Sequence, residues 1–325
     1  MNSIAISVLS FLFVGISTLL IERKLIPLLS SKTRQPIYEE GPSWHLSKSG
    51  TPTMGGLAFI ISITVCLIIV SFILINAGRH ALACSLIISL IFCVGNSIIG
   101  IVDDLTKIKR KENAGLTPAQ KLIFQFALSV IFLMARRRFL NDITVISLAD
   151  LKLDLGILYY PLAIILILGI INCANLTDGV DGLASTVALS ISGVFLIIGL
   201  NTPDVSILSS VLMGGACGFL IFNSNPAKIF MGDTGSLFLG ALVTCIAFSY
   251  GNPLIILLIG GVYVIEGVSV ILQVTVFKLT RKRIFKMAPI HHHLEKSGIS
   301  EGQICAIAVL ATLLFSSLAL LISEI

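Results

Sequence analysis

The chain has 325 residues, 56% of them hydrophobic and only 12% charged, with a formal net charge of +5 and a mean hydropathy of +1.02. So few polar groups cannot cover a water-soluble globule, and the composition is that of a polytopic membrane protein. The seven cysteines all fall in apolar windows without a CxxC pair, which argues against a disulfide framework or a cysteine zinc site.

Apolar windows run in chain order over Ile4–Leu20, Leu57–Ile75, Ala81–Val102, Leu122–Ala135, Leu158–Cys173, Leu183–Leu200, Val205–Phe222, Leu237–Tyr250, Leu254–Phe277 and Ile304–Ile322. They predict ten spans in one domain over residues 1–325. Backbone groups in lipid must be satisfied internally, and no alternating ten-residue segments occur, so the expected class is all-α. Leu122–Ala135 and Leu237–Tyr250 are short against the roughly 20 residues that cross a bilayer and must extend into flanks such as Lys121 or Asp233. The first window has no basic residue before it and Arg23 and Lys24 after it, the wrong polarity for a cleaved signal peptide; it reads as a retained helix.

Of the 22 Lys and Arg residues, 17 fall in the first, third, seventh and ninth connections between windows. The positive-inside rule then puts the odd connections in the cytoplasm and both termini outside, with Arg136, Arg137 and Arg138 against the trend. The glycine-punctuated polar segments all lie on odd connections, whereas even ones such as "NTPD" and "SYGNP" are short and plain. That asymmetry points to a site at the cytoplasmic surface.

In the first connection, "SKSGTPTMGG" lacks P-loop spacing, so Walker-type hydrolysis is not supported; Lys48 and Thr51 either hold a phosphate or sit in a turn. In the third, Asp103 and Asp104 precede Lys107. Neighbouring helical residues point about 100° apart, so one carboxylate can face a substrate while the other engages Lys107 or a metal-bound water. The bland alternative is a solvated helix end, which the helix dipole disfavours.

In "NLTDGVDGLAS" of the fifth connection, Asn175, Asp178 and Asp181 recur at three-residue steps before the Leu183 window, either as helix caps or as a ligand site opened by Gly179 and Gly182. In "FMGDTGS" of the seventh, Asp233 sits in a glycine turn with Thr234 and Ser236 available as caps; it is the best single candidate for a Mg²⁺ ligand, the alternative being an Asp that merely caps the helix. Glu266, embedded in the ninth window, suits an intramembrane pathway or an internal pair near Gln273.

In the ninth connection, "PIHHHLE" predicts a short helix begun by Pro289 and ended by Gly298. Its three consecutive histidines fan over about 200°, a poor zinc cage, and HExxH is absent. One or two of them contacting phosphate, or an interfacial helix facing anionic lipid, remain the readings.

Five segments in order, "GTPTMGG", "DDLTK", "NLTDGVDGLA", "FMGDTGSLFLG" and "PIHHHLE", resemble the signature loops of the phospho-N-acetylmuramoyl-pentapeptide transferase family, within the polyprenyl-phosphate N-acetylhexosamine-1-phosphate transferases. The resemblance runs from about His45 to Glu301. It implies Mg²⁺-dependent transfer of phospho-N-acetylmuramoyl-pentapeptide from its UDP carrier to undecaprenyl phosphate, giving lipid I and UMP, in a bacterial plasma membrane. By this resemblance Asp103, Asp104, Asp233, His291 and His292 are catalytic, and Asp233 is also the metal ligand. Lys48, Thr51, Lys107, Lys121, Asn172, Asn175, Asp178, Asp181, Asn223 and His293 are implied to bind substrate. A homodimer is also implied. The chain departs from the family in having Ile101-Val102 before the acid pair, where an aromatic residue is common, and Ile299 where a tryptophan follows the histidine loop. Direct attack by the lipid phosphate, with Asp103 accepting the proton and Asp104 orienting, stands beside a covalent phospho-sugar intermediate. The rivals are an N-acetylglucosamine-1-phosphate transferase and, in another class, a secondary transporter. The sister transferase is not expected to carry the histidine loop; a transporter would show midplane polar groups and repeats.

Overall fold

A computed structural model of the chain describes residues 3–30, 50–110, 115–142, 144–148 and 151–324. Helices occupy every apolar window: α1 (Ser3–Ser30), α2 (Gly56–Asn76), α3 (His80–Arg110), α4 (Pro118–Leu140), α5 (Tyr159–Thr177), α6 (Leu183–Ile198), α7 (Pro203–Asn223), α8 (Gly232–Ser249), α9 (Ile256–Ile259), α10 (Gly261–Thr280), α11 (Ile290–Glu295) and α12 (Glu301–Glu324). Among the described residues nine helices are long and apolar enough to cross a membrane, and α6, at 16 residues, is a shorter apolar tenth. The chain is a multi-pass, all-α membrane protein.

The two short windows do extend as their lengths required. α4 starts at Pro118 behind a capping box, in which Thr117 Oγ1 accepts from Gln120 N and Gln120 Oε1 accepts from Thr117 N. Lys121 is thereby in its first turn. α8 begins at Gly232 and takes Asp233 into its own first turn. Its cap residue is Met231, so Thr234 and Ser236 lie inside the helix and do not cap it as expected. The ninth window is interrupted at Gly260, where non-helical dihedrals separate α9 from α10.

Among the described residues, the fourth connection holds the chain's only strands, β1 (Val145–Leu148) and β2 (Leu151–Asp154), paired antiparallel with Val145 opposite Asp154. This connection is therefore less plain than its sequence suggested. Arg136, one of the three arginines against the charge trend, is buried: its guanidinium donates to Asp142 Oδ2 (2.5 Å) and the Phe248 carbonyl (3.0 Å), and lies over the Phe132 ring.

α8 is the most enclosed span. Apolar all round from Leu237 to Phe248, it buries every side of itself against α2, α3, α5, α6 and α7. Its first turn, with Asp233, emerges at one end of the bundle. The ends of α3 and α5 and the starts of α4 and α11 gather at that same end.

Candidate active site

α3 meets the start of α8 along one stripe, Ser97, Gly100 and Asp104. Ser97 Oγ donates to the Thr234 carbonyl at 3.2 Å, and a β-carbon at Gly100 would collide with the Asp233 carbonyl. That close approach delivers Asp104, one turn on, to the free N–H groups that open α8. Its carboxylate accepts from Asp233 N (3.2 Å), Thr234 N (2.9 Å) and Thr234 Oγ1 (2.7 Å). An acid from another helix thus does the capping job, supported by the positive end of the α8 dipole. Gly232, at φ +71°, leaves room for it; a β-carbon there would stand 2.6 Å from Asp104 Oδ2.

Asp103, about 100° further round α3, faces the other way and is fully buried. Lys107 Nζ lies 2.7 Å and Lys121 Nζ 3.1 Å from its Oδ2, and Leu116 N donates to its Oδ1 at 2.6 Å. The same two ammoniums reach Asp233 Oδ2, at 3.3 Å from Lys107 and 2.5 Å from Lys121. Asp233 Oδ1 accepts from Asn175 Nδ2 (3.1 Å), which also donates to Ser236 Oγ (2.7 Å). One oxygen from each of Asp103, Asp104 and Asp233 lies within 4.8 Å of the others. Three carboxylates against two ammoniums make a compact centre of hard oxygen donors and cations.

Asp178 caps α5 beside this centre. Burial first, then the neighbouring Asp233, Asp104 and Asp181 carboxylates, push its carboxyl well above the usual carboxylate range. Asp181 is a loop staple: its carboxylate accepts from Ala227 N (2.9 Å) and Asn225 Nδ2 (3.3 Å), and its own N–H donates to Glu301 Oε2 (3.0 Å). Asn223 does similar work, accepting from Gly182 N and donating to the Ile229 carbonyl. Asn172 lies within the bundle and donates to Gln125 Oε1 at 2.8 Å. Thr51 belongs to a loop that backbone hydrogen bonds tie to the Asp233 turn, Phe230 N to the Pro52 carbonyl and Gly55 N to the Phe230 carbonyl. Lys48 lies outside the described residues.

The three histidines have three different partners, as their angular spread required. His291 Nδ1 lies 3.0 Å from Glu266 Oε2, His292 Nδ1 lies 2.6 Å from Glu295 Oε2, and His293 Nδ1 accepts from Lys286 N at 3.1 Å. Glu266 therefore pairs with His291, not near Gln273, whose amide oxygen accepts from Ile284 N and Phe285 N. Thr234, Ser236 and Leu116 N were missed as site groups. Only Asp233, three residues before Ser236, and the glycines around it marked that turn as special.

Comparisons with known proteins place the chain among its relatives. The model of glycosyl transferase family 4 matches residues 86–251, which hold all three clustered acids and both lysines. Similar chains named phospho-N-acetylmuramoyl-pentapeptide-transferase occur in Halalkalibacterium halodurans (43% identical, 93% of both chains) and Clostridium botulinum (42%, 95% of this chain and 94% of that one). Another, in Bacillus subtilis, is 43% identical over 92% of both chains. The chain belongs to the phospho-N-acetylmuramoyl-pentapeptide transferase family. The family's first signature matches residues 48–60, the loop that binds the Asp233 turn through its backbone.

Proposed function

We propose that this chain moves phospho-N-acetylmuramoyl-pentapeptide from UDP to undecaprenyl phosphate at the cytoplasmic face of a bacterial plasma membrane, giving lipid I and UMP. The observation that carries the reading is the meeting of Asp103, Asp104 and Asp233 with Lys107 and Lys121 at one end of an apolar bundle. Both substrates bring phosphate to that boundary, one in water and one on a lipid tail. Transfer between them is chiefly a matter of positioning and charge stabilisation.

The donor set fits Mg²⁺. Asp104 already spends its oxygens on the α8 turn, whereas Asp103 and Asp233 turn oxygens toward each other and toward two ammoniums. Two carboxylates, with water and substrate phosphate, are the usual Mg²⁺ surroundings. When bound there, the ion neutralises pyrophosphate charge and favours departure of UMP. Lys107 and Lys121 steer and hold phosphate oxygens. Asp103 faces the incoming lipid phosphate, Asp104 fixes the Asp233 turn, and Asn175 orients the Asp233 carboxylate.

For the lipid tail, an apolar cavity of about 460 Å³ runs between α5 and α10, lined by Leu162, Ile165, Ile170, Val268 and Ile271 and reaching Cys173 and Gly267 beside Glu266. A polyprenyl chain suits it. Pairing of two copies belongs to the same proposal and rests on the resemblance alone.

The test supplies UDP-N-acetylmuramoyl-pentapeptide, undecaprenyl phosphate and Mg²⁺ to the purified protein, with UDP-N-acetylglucosamine as control, and measures UMP. Release is expected from the first donor only and should fall on the order of 10³-fold in Asp233→Asn. No release from the first donor, or undiminished release by the variant, overturns the reading.

A further inference from the structure

Glu266 lies on α10 and is 2% exposed, and His291 on α11 is 1% exposed. Residues so far apart in sequence meet where an acid is costly unless paired. Glu266 Oε2 is the contact for His291 twice, from Nδ1 at 3.0 Å and from the backbone N–H at 3.4 Å. One carboxylate oxygen therefore fixes both the start of α11 and the angle of the imidazole.

The far side of that ring is turned to the candidate site. Among the described residues His291 Nε2 is buried without a hydrogen-bond partner. It faces Gly179, in the loop that follows Asp178, so closely that a β-carbon there would collide with it. The Tyr263 hydroxyl, three residues before Glu266 on α10, is likewise buried without a partner among the described residues, within electrostatic reach of Asp178. His292 stacks edge-on to the ring at 4.2 Å but directs its own Nδ1 to Glu295. A buried ring nitrogen with nothing to bond is costly unless something else completes it.

We infer that Glu266 is a positioning residue: by accepting the Nδ1–H of His291 it fixes the imidazole tautomer, leaving Nε2 as an acceptor for a hydroxyl or amide N–H of the nucleotide-sugar donor beside Gly179. The inference rests on the proposed transferase reading for its substrate. Its physics is that of any carboxylate that holds a histidine by one nitrogen to present the other. Gln at 266 keeps the size but offers a donor to Nδ1, so the ring can adopt the opposite tautomer.

The experiment combines kinetics with ¹⁵N-histidine spectra of the full-length protein in nanodiscs, His291 being assigned by its loss in His291→Asn. Wild type is expected to show His291 protonated at Nδ1 with a bare Nε2, a readout that needs no catalysis. Glu266→Gln should lower kcat/KM for the nucleotide-sugar donor on the order of 10²-fold with the protein still monodisperse, and should cost nothing further in a His291→Asn background. A wild-type spectrum with the proton on Nε2, or an added Glu266→Gln loss in the His291→Asn background, overturns the inference. If wild type released no UMP, the transferase reading would fail while the spectra still decided the tautomer.

Discussion

Arg136 and Asp103 are both buried charges in an apolar bundle, at opposite ends, and they differ in how far the protein itself satisfies them. Arg136 has a carboxylate, a carbonyl, the Ser249 hydroxyl and an aromatic face. Asp103 has two ammoniums close to Oδ2, yet that oxygen holds no well-directed hydrogen bond among the described residues, and the ammoniums are shared with Asp233. At the same end, His291 Nε2 and the Tyr263 hydroxyl also lack hydrogen-bond partners among the described residues. A buried charge completed by its own protein works for the fold; one left incomplete, amid others like it, is arranged for something that arrives.

The strongest challenge to that contrast is Asp104, which belongs to the reacting end but is saturated with bonds. Asp104→Asn would set an amide N–H against the N–H groups of Asp233 and Thr234 and so swing the Asp233 turn. UMP release should fall about 10³-fold, or ~4 kcal/mol. Retention of activity within about tenfold would mean that the α8 turn holds Asp233 without it.

Next in size is the far end. Arg136→Met leaves the partly buried Asp142 without its cation and should lower stability by about 3 kcal/mol in SDS-titration unfolding. Turnover per folded molecule should stay within about twofold, as for distant independent sites. A selective loss of turnover would join the two ends and break the comparison.

The smallest effect concerns Asp178. Because its carboxyl titrates higher folded than unfolded, the folded protein holds the extra proton from about pH 4 upward. Stability from this group is therefore present in acid and declines as pH rises toward the raised value. Asp178→Asn should remove that decline and modestly raise the melting temperature at neutral pH in EDTA. A wild type that instead gains stability relative to the variant as pH rises through this window would show that burial does not govern the group.

Much of this was legible because the bilayer is a severe solvent. The windows at Leu122–Ala135 and Leu237–Tyr250 were too short to span, and the chain does recruit Lys121 and Asp233 into helices α4 and α8. The i,i+4 spacing of Asp103 and Lys107, and the i,i+3 spacing of His292 and Glu295, became the contacts at 2.7 and 2.6 Å. Local period was enough for pairs on one helix. It was not enough for Glu266, whose expected partner Gln273 instead accepts from Ile284 N and Phe285 N, nor for Asp181 and Asn223, whose side chains staple loops at this end.

By itself the sequence determined the class, the apolar helices and the set of polar segments that carry the chemistry, since hydropathy and helical period act over a few turns. Only the tertiary structure decided which acid caps α8, which two lysines share Asp103 and Asp233, and which histidine Glu266 holds. Those choices depend on where one helix backbone touches another, at Gly100 against Asp233 and at Gly179 against His291, and such contacts join residues that no local period connects.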